Sequence, residues 1–100
     1  MAAPIACSLT PAQLRDRKAS LLPGLASRAA NVTPTEHGYA LTFDAAERGI
    51  VTAIGACIDA ERHCCPFLIF RLTVRSEAGA IELGVTGPTG TRAFLDALIA

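Results

Sequence analysis

The chain has 100 residues, enough for one domain, and its nine basic and nine acidic side chains cancel. Neither sign runs in a block: Arg15, Arg17 and Lys18 form the one local cluster, so the basic stripe that phosphate backbones require is missing and nucleic acid is not an expected partner. Apolar residues make up 51% of the chain but there is no Trp, and in so small a domain that share leaves apolar surface exposed, which predicts a homodimer.

Residues 1–9 read as a flexible leader ahead of a single domain. Met1 to Thr10 carries no charged leader and no apolar run of signal length. No stretch reaches the ~20 apolar residues that a membrane helix needs. The expected setting is therefore cytoplasmic, with no membrane partner and with reduced thiols. Its four cysteines are then thiols or metal ligands before they are structural disulfides.

Thr10-Pro11-Ala12-Gln13 opens the first helix, with Thr10 as cap, Pro11 at the first helical position and Gln13 as reciprocal partner. Leu14, Leu21 and Leu25 recur at helical spacing, and Pro23-Gly24 should kink the helix before it ends near Ala30. Asn31 to Thr35 is a strand, Glu36-His37-Gly38 a turn, and Tyr39 to Phe43 a second, alternating strand. Asp44 and Glu47 carry the marks of a helix start. Ile50, Val51, Ile54, Cys57 and Ile58 then give a helical face up to about Cys64, where Pro66 stops it. Phe67 to Arg75 and Ala80 to Thr86 are strands around a turn at Ser76 to Gly79. Gly87-Pro88 opens a last helix whose apolar side is Phe94, Leu95, Leu98 and Ile99.

The order helix, two strands, helix, two strands, helix predicts an α+β fold. Two successive strand–strand–helix units suggest a pseudo-repeat. They fit a four-stranded, mainly antiparallel sheet with helices packed on one face.

Asp59 to Phe67 gathers two thiols, a carboxylate, an imidazole and a guanidinium at the exit of the middle helix. Glu61 precedes Cys64 and Cys65 by about one turn and so shares a face with them. Soft thiolates select thiophilic ions, Hg(II), Cu(I), Zn(II) or As(III), and two of them satisfy a linear or trigonal ion with one further ligand. Glu61, His63 or Cys7 can supply that ligand, although no CxxC points to zinc in particular. Cys57 lies about 10 Å along the axis from Cys64, too far for both to hold one ion, and reads as a small core residue.

Three alternatives stay open at these positions. Cys64 and Cys65 can form a strained vicinal disulfide, the basis of a redox protein. They can also be packing residues of a non-catalytic dimerisation module, since Phe67 and Leu68 make the junction apolar. Glu61 and Arg62 can equally be a solvated, salt-bridged helix face, and His37 a solvated turn residue. Enzyme chemistry is disfavoured, because a helix carboxyl end works against a thiolate nucleophile and no second His–acid arrangement orients a base. Gly87-Pro88-Thr89-Gly90-Thr91 lacks the lysine of a phosphate loop.

The run Glu61-Arg62-His63-Cys64-Cys65-Pro66-Phe67-Leu68 resembles a family of small, uncharacterised bacterial proteins with an ERxCCPF-type motif. Gly38-Tyr39, Gly87-Pro88 to Thr91, Phe94-Leu95 and the leader Ile5 to Thr10 match that family's flanks, so the resemblance covers most of the chain. The family is loosely associated with heavy-metal, chiefly mercury, resistance genes. The resemblance thus implies thiophilic metal handling, with Glu61, Cys64 and Cys65 at the motif positions and Cys7 next.

Overall fold

Strands that alternate apolar and polar residues bury one face, and this sheet is built that way. The structure, a computed structural model, describes residues 22–75 and 79–99. Helix α1 spans Leu22–Arg28, strands β1 and β2 Asn31–Thr35 and Gly38–Phe43, and helix α2 Ile50–Cys64. Strands β3 and β4 span Ile69–Thr73 and Ile81–Thr86, and helix α3 spans Thr91–Ile99. The element order is the predicted one, and the fold is α+β.

All neighbouring strands run antiparallel, in the order β1-β2-β4-β3. Leu41 lies opposite Leu83 at the centre, with Tyr39 opposite Val85 and Phe43 opposite Ile81. These residues, with Phe70 and Leu72 of β3, share one face. Leu22 and Leu25 of α1, Ile50 and Ile54 of α2 and Leu95 of α3 pack into the same core. The two strand–strand–helix units therefore join through β2 and β4. Gly38 is required where they meet: a Cβ there would stand 1.8 Å from the Val85 carbonyl oxygen.

Element boundaries depart from expectation where local polar contacts compete with the helix. Asp44 does not cap α2. Its carboxylate accepts the Ala46 N–H at 2.9 Å and its carbonyl the Glu47 N–H at 3.1 Å, closing a turn instead. The helix begins at Ile50, entered through Gly49 at φ 75°. Helix α3 is entered in the same way, through Gly90 at φ 100°, whose carbonyl accepts the Phe94 N–H. Pro88 is thus not its first residue but the acceptor for the Thr91 N–H and hydroxyl, at 3.0 and 2.7 Å.

Strand β3 starts at Ile69 rather than Phe67, because the Leu68 N–H turns back onto the Cys65 carbonyl at 3.1 Å. Helix α1 ends at Arg28, short of Ala30. The expected leader, the Thr10–Gln13 start with Leu14 and Leu21, and the Ser76–Ala78 part of the turn lie outside the described residues. Among the described residues, no helix is long and apolar enough to cross a membrane.

Candidate functional site at the exit of helix α2

Ile50, Ile54, Cys57 and Glu61 follow one another at three- and four-residue intervals, so one stripe of α2 carries all four toward the core. Cys65, immediately after the helix, continues the line. The Cys65 N–H donates to the Glu61 carbonyl at 2.6 Å and closes the last helical turn. Three titratable side chains on this line are buried: Cys57 is 1% exposed, Glu61 0% and Cys65 1%.

Glu61 is the anomaly. Neither of its carboxylate oxygens makes a well-formed hydrogen bond to a described residue, although buried polar groups are almost always satisfied. Burial raises its pKa, and the backbone N–H of Leu22, at the start of the described part of α1, opposes the shift only in part. Desolvation penalises the charged form and so favours the neutral acid. Its two sulfur neighbours behave alike. The thiols of Cys57 and Cys65 are each pushed up to about 12, first by burial and then by the adjacent Glu61 carboxylate. At neutral pH both sulfurs keep their protons.

The surrounding loops are held by contacts between segments far apart in sequence. The rings of Phe67 and Phe94 meet edge to face, with centroids 5.1 Å apart and planes at 85°. A Cβ on Gly87 would come within 3.0 Å of the Phe67 carbonyl oxygen and 2.5 Å of the Thr91 hydroxyl. The Thr86 hydroxyl donates to the His37 carbonyl at 3.2 Å. The turn at Glu36-His37, the Cys65–Leu68 segment and the Gly87–Thr91 loop therefore converge at one end of the sheet. Segments quoted for the family resemblance, Gly38-Tyr39, the double-cysteine motif, Gly87 to Thr91 and Phe94-Leu95, thus adjoin in space.

Of the predicted site residues, the fold brings together Glu61 and Cys65. Cys64 is the last residue of α2, and for it the description covers the backbone. His63 and Arg62 lie on the exposed side, where Arg62 faces Asp59 at 3.7 Å. His37 sits in its turn beside the Glu36 carboxylate at 3.7 Å. Cys7 lies outside the described residues. The solvated-face reading of Glu61 is overturned, and its spacing from Ile54 and Cys57 is the feature that explains its burial. Cys57 is the core residue expected, but it also stands one turn from Glu61, a relation the i, i+4 spacing already contained. Among the described residues, no three His, Cys, Asp or Glu side chains are placed to hold one metal ion.

Comparison of the chain with protein families, with curated proteins and with solved structures found no match.

Proposed function

We propose that this protein holds a thiophilic metal ion, Hg(II), Cu(I), Zn(II) or As(III), at the carboxyl end of α2. Cys64 and Cys65 are the sulfur ligands and Glu61 the oxygen ligand, in the service of sequestration, delivery or sensing in metal resistance. Cys7 and His63 are the candidates for completing the shell. The proposed setting is the cytoplasm, where the thiols stay reduced.

The observation that carries this reading is the buried carboxyl of Glu61, without a well-formed hydrogen bond to any described residue, beside the buried thiol of Cys65. A folded chain gains nothing from an unsatisfied carboxyl in its core. A cation gives that group the partner it lacks. Thiol and acid lose their protons as the ion enters, so binding exchanges protons for metal rather than adding bare charge to a dry site.

One observation favours a second reading. Cys57 and Cys65 both belong to the apolar core, as they would in an interaction module whose cysteines only pack. In that reading a homodimer covers the exposed Ile69 and Val74.

Native mass spectrometry of the reduced protein during titration with Hg(II), Cu(I), Zn(II) and As(III) separates the two. Metal binding predicts a saturating adduct that Cys64→Ser combined with Cys65→Ser abolishes and Glu61→Gln weakens. Equal uptake by wild type and the double variant refutes it. The packing reading instead predicts a stable dimer, no specific adduct, and thiols that resist alkylation until the chain is unfolded.

A further inference from the structure

Glu61 has a buried sulfur on either side, not one. Cys57 lies one turn before it on the buried stripe of α2, and Cys65 follows it by four residues at the helix's C-cap. Side chains at i and i+4 on a helix stand with Cβ atoms about 5–6 Å apart, close enough for both to reach a single ion. Cys57 and Cys65 are two turns apart, about 12 Å along the axis, and cannot share one. The carboxyl between them has two oxygens, and neither makes a well-formed hydrogen bond to a described residue.

We propose that Cys57 and Glu61 form a second, inner binding position for a thiophilic cation, bridged through the Glu61 carboxylate to the outer one at Cys65. This rests on the proposed function, because the inner position is reached past the outer ion. Two protein ligands of this kind suit ions that accept low coordination, as soft ions do. Cys57 is a free thiol. On binding, its S–H bond is replaced by a sulfur–metal bond, the proton passes to solvent, and no oxidant or reductant is consumed. The energetic sense is the same as at the outer site. A bare thiolate at a 1% exposed position is penalised by desolvation, whereas a thiolate paired with a cation is not.

The chemistry assigns distinct jobs to the two sulfurs. Cys65, at the helix exit, meets the incoming ion. Cys57, two turns back along the helix from its exit, retains it. Capacity is then two ions per chain rather than one, and the second is released more slowly.

Hg(II) is the probe, since it is one of the proposed ions, accepts two ligands, and reports each thiolate it binds through an ultraviolet charge-transfer band. Wild type should take up two equivalents, with absorbance rising in both steps, and Cys57→Ser and Cys57→Ala should take up one. Circular dichroism of each variant checks that it folds. If neither variant folds, wild type alone decides. Two equivalents in native mass spectra, with the second step adding absorbance and shielding Cys57 from alkylation, support the inner position. A single equivalent in wild type, or a second that leaves Cys57 as reactive as before, overturns it and leaves the outer site standing. No uptake at all removes the proposed function itself.

Discussion

Replacing Glu61 by Met should stabilise the metal-free protein, and the gain should grow with pH. Met fills similar space without a group that needs a partner. Glu61 is fully buried with neither oxygen in a well-formed hydrogen bond to a described residue, and an unsatisfied buried polar group costs about 1–3 kcal/mol. That is the gain expected near pH 4, where the acid is protonated in both states. Above it, linkage adds to the difference. Burial raises the Glu61 pKa above its ordinary value of 4.5, so the native chain keeps a proton that the unfolded chain has released. Stability from this group is complete below about 4.5 and is lost as pH rises toward the folded-state value, at up to about 1.4 kcal/mol per pH unit. With a urea dependence of about 1–3 kcal/mol per molar, each unit of pH lowers the wild-type midpoint by roughly half a molar or more relative to the variant. Urea titrations of both proteins from pH 4 to 7, with a chelator present, measure this directly. Midpoints that stay parallel across pH, or a variant less stable than wild type throughout, would mean that Glu61 has a partner in the empty protein, and the reasoning would fail.

The thiols give the same sign at higher pH. Cys57 and Cys65 are raised from 9.0 to about 12, so the metal-free protein should lose stability from pH 9 upward, by about 1.4 kcal/mol per unit for each thiol. Cys57→Val should have a shallower decline between pH 9 and 10.5 in denaturant titrations, and an identical slope would contradict the assignment. Gly38→Ala drives a methyl into the Val85 carbonyl, 1.8 Å from the built Cβ. It should cost about 3 kcal/mol or more and separate β2 from β4, visible as a large drop in melting temperature. Gly55→Ala, on the exposed side of α2 with nothing within 4 Å, should instead gain about 0.5–1 kcal/mol.

The strands were legible because their periodicity is strict. Asn31 to Thr35 and Tyr39 to Phe43 fall almost where the structure has them, and the large apolar members of β2 and β4 share the core face. The helix starts were less legible, for a local reason. Asp44 has the chemistry of a cap but spends its carboxylate on the Ala46 N–H, and the true entrances are glycines in left-handed backbone, Gly49 and Gly90. A left-handed residue leaves no mark in hydrophobic spacing. The site was half legible. Adjacency singled out Cys64 and Cys65, yet the burial of Glu61 was obscured by its charged neighbours Asp59 and Arg62, both exposed. A single acidic residue on an apolar stripe looks like a solvated residue until the stripe is followed through it. How the Cys65–Leu68 segment docks on the Gly87–Thr91 loop was not legible, because that contact joins segments far apart in the chain.

Zinc-edge X-ray absorption of the reduced, Zn(II)-loaded protein tests the central claim most directly. The account predicts a sulfur shell at about 2.3 Å together with at least one oxygen at about 2.0–2.2 Å. The sulfur contribution should disappear in Cys64→Ser combined with Cys65→Ser, and the oxygen shell should change in Glu61→Gln. A spectrum containing oxygen and nitrogen alone, or one that neither variant alters, would contradict it.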